Sequence, residues 1–413
     1  MSDLTMSILD CFVKATGLKI NVEKSSVATI RCTNVDIEDV LQNFSGPKVT
    51  FPMTYLGLPI TMGRLRLVHL QPIKDRLHRK LDGWQGKVMN IAGRRELVKS
   101  VLSSQTTYLL TTLQPPKKFL KEIDKVRRRF LWAGDQQLQG GKCKINWERV
   151  CRPVDRGGLG ISDLKRFSRA LRLRWLWAQW KFPDKPWNGM ELPIDSTDEA
   201  LFAAATRVTV QNGNKAKFWT SSWLNGASPA AMFPGLYVHS KRKTRTVAEA
   251  LHNDNWIRDI MTNLTASLVH DYVQLWTIID SHGFNPYATG EDEIVWTRTS
   301  DGNYSAASAY KIQFDGGLDS TFPAKVWKVW APPKCKIYIW LMLQNRIWTA
   351  DRLQQREWPN QYFCPLCVRN LETTLHLFVE CPVTRCVWAR VASWVDERNL
   401  HPEQWTAESS TFL

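Results

Sequence analysis

Residues 364–381 read CPLCVRNLETTLHLFVEC, a stretch with three cysteines and one histidine. Cys364 and Cys367 form a C-x2-C pair, and His376 and Cys381 complete a set of four sulfur and nitrogen donors. Three thiolates and one imidazole make a closed tetrahedral set for a structural zinc ion, with no open position for catalysis. The alternative is a small core, because unpaired cysteine is commonly buried as an apolar group. We predict zinc, since so compact a ligand set rarely arises by chance.

This stretch and the residues before it resemble the zinc-binding domain at the C-terminal end of plant non-LTR (LINE-type) retrotransposon reverse transcriptases. The matching residues, in chain order, are Trp296, GNYSAASAY (302–310), VWKVWAPPKCKIYIWLML (326–343), WTADRL (348–353), ET..H.F..CP (372–382) and VW (387–388). The resemblance implies a zinc-stabilised helical domain over residues 296–400, followed by a polar tail over residues 401–413.

Composition limits the class of protein. The 413 residues are 44% hydrophobic and 23% charged, which is typical of a folded protein with more than one domain. No apolar run is long enough to cross a membrane, and the N-terminus lacks a secretion signal. The number of cysteines, nine, is odd, and the six outside the zinc stretch are widely scattered, which favours a reduced, intracellular compartment. The net charge of +16 favours a polyanionic partner. A nuclear location is one option, since residues 241–245 are basic, with a solvated loop as the alternative.

The N-terminal segment, residues 1–63, resembles the end of a reverse-transcriptase palm. We predict a helix over residues 7–15 that Gly17 closes, and short strands at GLKIN (17–21) and SSVATI (25–30). YLGLPI (55–60) resembles the hairpin that grips the primer end, which assigns that role to Tyr55, Leu56 and Gly57. The alternative is an ordinary turn between two short strands.

The family's polymerase carboxylates are missing from the chain. A polymerase holds two metal ions between carboxylates, and the family places them in an aromatic-Ala-Asp-Asp loop. That motif occurs nowhere in the sequence, and by the resemblance it would precede Met1. The acidic runs at residues 38–39 and 291–293 are interpreted as solvated surface. We therefore expect a reverse-transcriptase fragment that is not an enzyme, with no ribonuclease H segment at its end.

Residues 64–180 have the helical pattern of the family's thumb. Residues 64–132 carry 17 Lys or Arg and 5 Asp or Glu, which is +12 of the chain's +16. Three apolar stripes predict helices there: Leu70, Ile73, Leu77 and Leu81; Leu97, Val98, Val101 and Leu102; Phe119, Ile123, Val126 and Phe130.

The third of these helices starts near Pro116 and carries a basic face opposite its apolar stripe. We predict that this face binds the phosphate backbone of RNA or an RNA–DNA hybrid. Its residues are Lys118, Lys121, Lys125, Arg128 and Arg129. The alternative is a solvated helix face, which is what most runs of charge represent.

A Trp-rich helix follows, and after it a connector over residues 181–295. The helix is predicted to bury Leu164, Phe167, Leu171, Trp175 and Ala178, leaving Trp177 and Trp180 for packing on a neighbour or a stacked base. The GGLG turn at residues 157–160 lacks the spacing of a phosphate loop. Residues 182–195 are proline-rich and predict a linker, whereas NGNKAKFWTSSW (212–223) is predicted to place Trp219 and Trp223 in a small core.

The sequence therefore predicts a mainly α, multi-domain chain: a small α/β palm remnant, a helical thumb, a connector and a zinc-stabilised helical domain. The implied function is that of a retrotransposon-derived fragment that binds zinc and nucleic acid, with no membrane partner. Two alternatives stay open, a zinc-stabilised protein-interaction module and a decayed copy that does not fold stably.

Overall fold

The structure is a computed structural model that describes residues 2–19, 21–32, 36–41, 46–82, 86–134, 143–260, 265–285, 287–316 and 321–405. The chain divides into two compact units, residues 1–78 and 79–413. From residue 406 onward the predicted polar tail lies outside the described residues. Among the helices in the described part of the chain, none combines the length and the apolar character that a membrane span requires.

The described residues are mainly helical, with three two-stranded sheets. The helices are α1 (Ser2–Thr16), α2 (Ile37–Val40), α3 (Gln71–Asp82), α4 (Ile91–Leu97), α5 (Thr107–Thr112), α6 (Lys117–Ala133), α7 (Trp147–Val150), α8 (Leu164–Lys181), α9 (Ser196–Ala205), α10 (Pro229–Met232), α11 (Pro234–His239), α12 (Val247–Leu251), α13 (Asn255–Arg258), α14 (Ala266–His282), α15 (Ala306–Lys311), α16 (Thr321–Lys328), α17 (Pro333–Met342), α18 (Ala350–Gln354) and α19 (Pro382–Val395). The strands are β1 (Val27–Ala28), β2 (Lys48–Val49), β3 (Met53–Tyr55), β4 (Leu58–Ile60), β5 (Thr206–Thr209) and β6 (Glu293–Trp296). The predicted fold class, mainly α with a small α/β part, is confirmed.

The first unit begins with the predicted helix. α1 ends where Gly17 adopts a φ of +73° and donates its N–H to the Val13 carbonyl at 2.8 Å. The strand predicted at residues 17–21 is wrong for the described residues there, and Ile20 lies outside them. Asn21 Oδ1 accepts the N–H of Lys24 at 3.0 Å, in a local turn that follows these residues. Of the second predicted strand, residues 25–30, two residues form β1. This strand pairs in parallel with β2.

The predicted hairpin at YLGLPI is present. β3 and β4 pair antiparallel, with Tyr55 opposite Leu58. Leu56 and Gly57 have φ values of +49° and +80°, which is the type I′ geometry that matches the twist of the two strands. Leu58 is buried, whereas Tyr55 and Leu56 are exposed at the tip. The hairpin therefore presents an aromatic and an aliphatic side chain to solvent.

The helical pattern over residues 64–132 is largely confirmed. Each of the four residues of the first stripe is buried, and in the third stripe Phe119, Ile123, Val126 and Phe130 are buried on α6. The second stripe is less regular, because α4 passes into a π-helical turn at Val98–Leu102. Val98 and Leu102 are buried there, and Leu97 and Val101 are half-buried.

The predicted buried stripe of α8 is wrong except at Leu164. The most buried apolar residues of this helix include Ala170, Leu173 and Trp177, and the other residues of the predicted stripe are half-buried. α8 packs against α5, α6, α9 and α15, so it lacks the single solvent face on which a one-sided stripe depends. Trp177 is thus a core residue.

An aromatic core lies beside α8 in the second unit. Trp219, Trp223, Trp256 and Trp296 are almost fully buried in it, which confirms the core predicted for Trp219 and Trp223. The indole N–H groups of Trp219 and Trp223 donate to Ser240 Oγ at 3.0 Å and to the Phe218 carbonyl at 2.9 Å. These bonds satisfy polar atoms that burial would otherwise leave without a partner.

The acidic run at residues 291–293 is not entirely solvated surface, as the sequence analysis had interpreted it. Asp292 is buried, with 6% of its surface exposed, and sits just before β6. Its Oδ1 accepts the N–H groups of Gln211 and Gly213 at 2.8 Å, and its Oδ2 accepts those of Lys215 and Ala216 at 2.9 Å. A carboxylate satisfies four donors of an irregular loop in this way, so Asp292 is a structural residue. Glu291 and Glu293 are exposed, as predicted.

Candidate metal centre and basic surfaces

The four predicted zinc ligands lie together in the second unit. The donor atoms of Cys364, Cys367, His376 and Cys381 are all within 4.8 Å of one another. Cys364 Sγ lies 3.9 Å from Cys381 Sγ, and Cys367 Sγ lies 3.3 Å from His376 Nε2. A tetrahedral ion with Zn–S bonds of about 2.3 Å separates its sulfurs by about 3.8 Å, so the donor spacing fits zinc. Cys386 is exposed and is not part of this group.

A tight turn positions the first two cysteines. The Val368 N–H donates to the Cys364 carbonyl at 2.8 Å, and the Cys364 N–H donates to the Asn370 carbonyl at 2.8 Å. Val368 has a φ of +57°, a left-handed conformation that a β-branched residue rarely adopts. This strained residue follows directly after Cys367, in the turn that directs both sulfurs toward one point.

The other two ligands flank a π-helical turn, His376–Glu380. The wider turn brings the Cys381 N–H to the His376 carbonyl, with an N···O distance of 2.7 Å, and so holds these two ligands close together. His376 Nε2 faces the cysteines, and its Nδ1 lies 4.0 Å from Glu380 Oε2. At this distance the Glu380 carboxylate is close enough for an ion pair but too far for a hydrogen bond to the imidazole.

Local electrostatics differ between two of the thiols. The backbone N–H groups of Arg369 and Asn370 lower the pKa of Cys367 to about 6. Burial raises the pKa of Cys364 above its ordinary value. Because zinc binds the thiolate form, Cys367 is prepared for binding before the metal arrives.

The metal centre is tied to neighbouring elements of the second unit. Glu372, just before the histidine, accepts the N–H of Ala350 through its side chain at 3.2 Å and that of Asp351 through its carbonyl at 3.3 Å. Thr374 donates to Asn345 Oδ1 at 2.8 Å. Any change in the metal loop therefore reaches α18 and the loop before it.

The predicted basic face of α6 is accessible. Lys118, Lys121 and Lys125 are exposed, and Arg128 and Arg129 are half-buried. The one arginine of this helix left out of the prediction, Arg127, is fully buried and bonds Asp124, Ser103 and Ser162. The helix thus separates a structural arginine from a solvent-facing basic stripe.

A cationic cluster that the sequence did not predict surrounds Trp348. Lys144 Nζ lies 5.7 Å, Arg352 Cζ 5.7 Å and Arg356 Cζ 5.0 Å from the centroid of its ring. The one local signal was the spacing of Arg352 and Arg356, which places both on one helical face. Lys144 comes from a distant segment, so no sequence pattern could have joined it to them.

Comparisons with known proteins agree with the metal centre. Residues 304–388 match the family described as zinc-binding in reverse transcriptase. The chain is 23% identical over 365 residues to a putative ribonuclease H protein of Arabidopsis thaliana, covering 81% of this chain and 57% of that protein. It is 27% identical over 97 residues to the uncharacterized 149 kDa protein of transposon TX1 from Xenopus laevis, covering 23% of this chain and 7% of that protein.

The chain thus spans a little over half the length of the first of these relatives. Together the matches support a region derived from a retrotransposon reverse transcriptase. The zinc-binding family and the Cys3His group agree on the cofactor, which is zinc.

Proposed function

We propose that this chain is part of the reverse transcriptase of a plant LINE-type retrotransposon, and that it binds zinc and nucleic acid without catalysis of its own. The zinc ligands are Cys364, Cys367, His376 and Cys381. The observation that carries the proposal is the convergence of these four donor atoms within 4.8 Å, inside the segment that matches the zinc-binding family.

The zinc ion has a structural role in this proposal. Four protein donors fill a tetrahedral coordination sphere, so no position is left for a water or a substrate. When bound, the ion supplies only cross-linking of the chain. The four ligand residues, joined through the ion, hold the turn at residues 364–368 against the π-helical turn. They thereby fix the loop that contacts α18.

The basic face of α6 supplies the contact with nucleic acid. Five positive side chains along a helix of 17 residues match a row of phosphates, which gives affinity without base recognition. The substrate class is RNA or an RNA–DNA hybrid duplex, recognised through its shape and backbone. This role places the protein inside the cell, and in the nucleus where it meets chromosomal DNA.

The hairpin of the first unit has a proposed role of its own. Tyr55 and Leu56 are exposed at its tip, and Gly57 allows the tight turn that presents them. Exposed side chains on a rigid hairpin suit contact with the end of a primer strand, which is the role that the resemblance assigns to Tyr55, Leu56 and Gly57.

A protein-interaction module is the second candidate, and α19 favours it. Val383, Val387 and Trp394 lie on one face of this helix, and 85% of the Trp394 surface is exposed. Apolar residues at this spacing are typical of a helix that packs on a partner. This reading needs the zinc centre but no nucleic acid.

Salt-dependent binding separates the two candidates. If all five residues of the α6 face contact phosphates, they give a log–log salt slope of about −4.5 on a DNA duplex. The triple variant Lys121→Glu, Lys125→Glu and Arg128→Glu removes three contacts, so the slope should flatten by about 2.7. Fluorescence anisotropy with labelled hybrid and DNA duplexes over a range of NaCl concentrations measures both values.

The matched control reverses three charges elsewhere. Lys241, Arg242 and Lys243 are exposed in a loop of the connector, so changing all three to Glu alters the net charge equally. We expect the control to keep the wild-type slope. Equal binding by wild type and the α6 variant at every salt concentration would show that the face is only solvated surface. The protein-interaction module would then be the better-supported function.

The proposal also predicts that the 413-residue chain does not extend a primer. The sequence holds no aromatic-Ala-Asp-Asp loop, so the carboxylates that this family uses to hold two metal ions are missing from it. Homogeneous, zinc-loaded protein should incorporate no nucleotide on RNA or DNA templates with Mg²⁺ or Mn²⁺. Template-dependent incorporation that co-purifies with the chain through two columns would refute this prediction.

A further inference from the structure

The cluster around Trp348 gathers positive charge from two separate segments of the second unit. Lys144 precedes α7, whereas Arg352 and Arg356 lie on and just after α18. All three lie over the same indole ring, at 5.0 to 5.7 Å from its centroid. Cation–π contacts of this kind hold each charge in place, but they do not neutralise it.

Arg352 is the buried member of the cluster. Only 7% of its surface is exposed, its Nη1 donates to the Asn345 carbonyl, and its buried Nε has no partner among the described residues. Within the same described part of the chain, no carboxylate lies within ion-pair distance of Arg352, Lys144 or Arg346. A guanidinium buried without a counter-charge is costly, so an anion bound beside it would be favoured.

The charges also repel one another. Burial lowers the pKa of Arg352, and Arg346 and then Arg356 lower it further, while Asp351 opposes them with a smaller effect. Burial and then Arg352 lower the pKa of Lys144. The groups that face this site are therefore four cations and one partly compensating carboxylate, and their field attracts an anion.

One residue of the α6 face acts electrostatically on the neighbour of Lys144. Burial raises the pKa of Cys143, and Arg128 of α6 lowers it, so Arg128 acts on the residue next to Lys144. On its other side, the cluster rests on the metal loop through Glu372, which holds Ala350 and Asp351 of α18. The cluster is therefore a second set of cations in the same unit as α6, and it is tied to the metal loop.

We propose that Lys144, Arg352 and Arg356, gathered around Trp348, form together with Arg346 a second binding site for the phosphate backbone of nucleic acid. The site rests on the proposed function and extends it beyond α6. Arg346 is exposed and Lys144 and Arg356 are half-buried, so these three can contact phosphate oxygens. Arg352 is a positioning residue: it adds a fixed positive charge beneath them, and Trp348 orients the cations.

The test uses the full, zinc-loaded chain with Lys144→Ala and Arg346→Ala combined, which spares the buried Arg352. The matched control combines Lys241→Ala and Arg242→Ala, which removes the same charge from an exposed loop. Loss of two phosphate contacts should flatten the log–log salt slope by about 1.8, and weaken duplex binding by up to about 60-fold at 0.1 M NaCl, beyond the control. Zinc content and protease resistance report that each variant is folded.

Three comparisons decide between the outcomes. Weaker binding by the cluster variant supports the site, whether or not the α6 triple variant is also weakened. Weaker binding by the α6 variant alone would overturn the second site and leave the proposed function standing. Unchanged binding by both variants would overturn both. A poly-glutamate competitor covers the remaining case: if the cluster variant loses poly-glutamate binding but keeps duplex binding, the cluster recognises an acidic protein and the proposal fails.

Discussion

Chelation of zinc should unfold residues 363–394 and leave the rest of the second unit folded. In small zinc sites, metal binding and local folding are one free energy, of about 10–16 kcal/mol in isolated peptides. The metal loop has little apolar core of its own, because Phe363, Leu366 and Val368 are exposed beside the metal centre. Limited proteolysis before and after chelation, with mass mapping of the cut sites, measures the effect.

Single-cysteine variants sharpen this test. Cys381 is fully buried and lies 3.9 Å from Cys364, whereas Cys386 is exposed on α19. Elemental analysis should find about one zinc per chain in wild type and in Cys386→Ala, and far less in Cys381→Ala. Zinc-free wild type that still resists protease over residues 363–394 would refute the site, and zinc lost from Cys386→Ala alone would assign that ligand differently.

Loss of zinc should also weaken the cluster around Trp348. The metal loop holds α18 through Glu372, and Thr374 binds the side chain of Asn345. The backbone carbonyl of Asn345 is in turn the acceptor for the buried guanidinium of Arg352. A disordered metal loop thus removes contacts that support the cations, so the proposed second site for nucleic acid should weaken when zinc is lost.

The features that sequence predicted well are local. The donors of the zinc centre lie within 18 residues, so their spacing alone restricts them to one small loop. α6 was predictable because a 3.6-residue period separates its apolar stripe from its basic face on a single element. The hairpin at Tyr55 followed from two short apolar runs around a Leu-Gly turn.

The features that sequence missed depend on partners far along the chain. Asp292 was interpreted as surface because its four donors lie some 80 residues earlier, in a loop without periodicity. Lys144 and Trp348 are further apart still. α8 was assigned one buried face, but several helices enclose it, and its Arg172 is buried in an ion pair with Asp198 of α9 at 2.7 Å. Tertiary contacts of this kind override local pattern.

Asp292 gives the second large expected effect. Its two oxygens accept four backbone N–H groups from residues 211–216, and that loop leads directly into Trp219 and Trp223 of the aromatic core. Charge-assisted bonds contribute roughly 1.5–3 kcal/mol each, and an unpaired buried donor costs a similar amount. The carboxylate therefore fixes the loop that closes this core.

Asp292→Asn keeps the shape of the side chain but turns an NH2 group toward two of the four donors. We expect the aromatic core to lose about 4 kcal/mol of unfolding free energy, at about 2 kcal/mol for each of the two charge-assisted bonds that are broken. Urea unfolding followed by tryptophan fluorescence is sensitive to this core, since five of the 20 tryptophans of the chain are buried in it. Glu293→Gln is the matched control: it removes the same charge one residue away, from an exposed side chain, and should change stability by less than about 0.5 kcal/mol. Equal midpoints for the two variants would show that Asp292 does not hold the loop, and that the core closes without it.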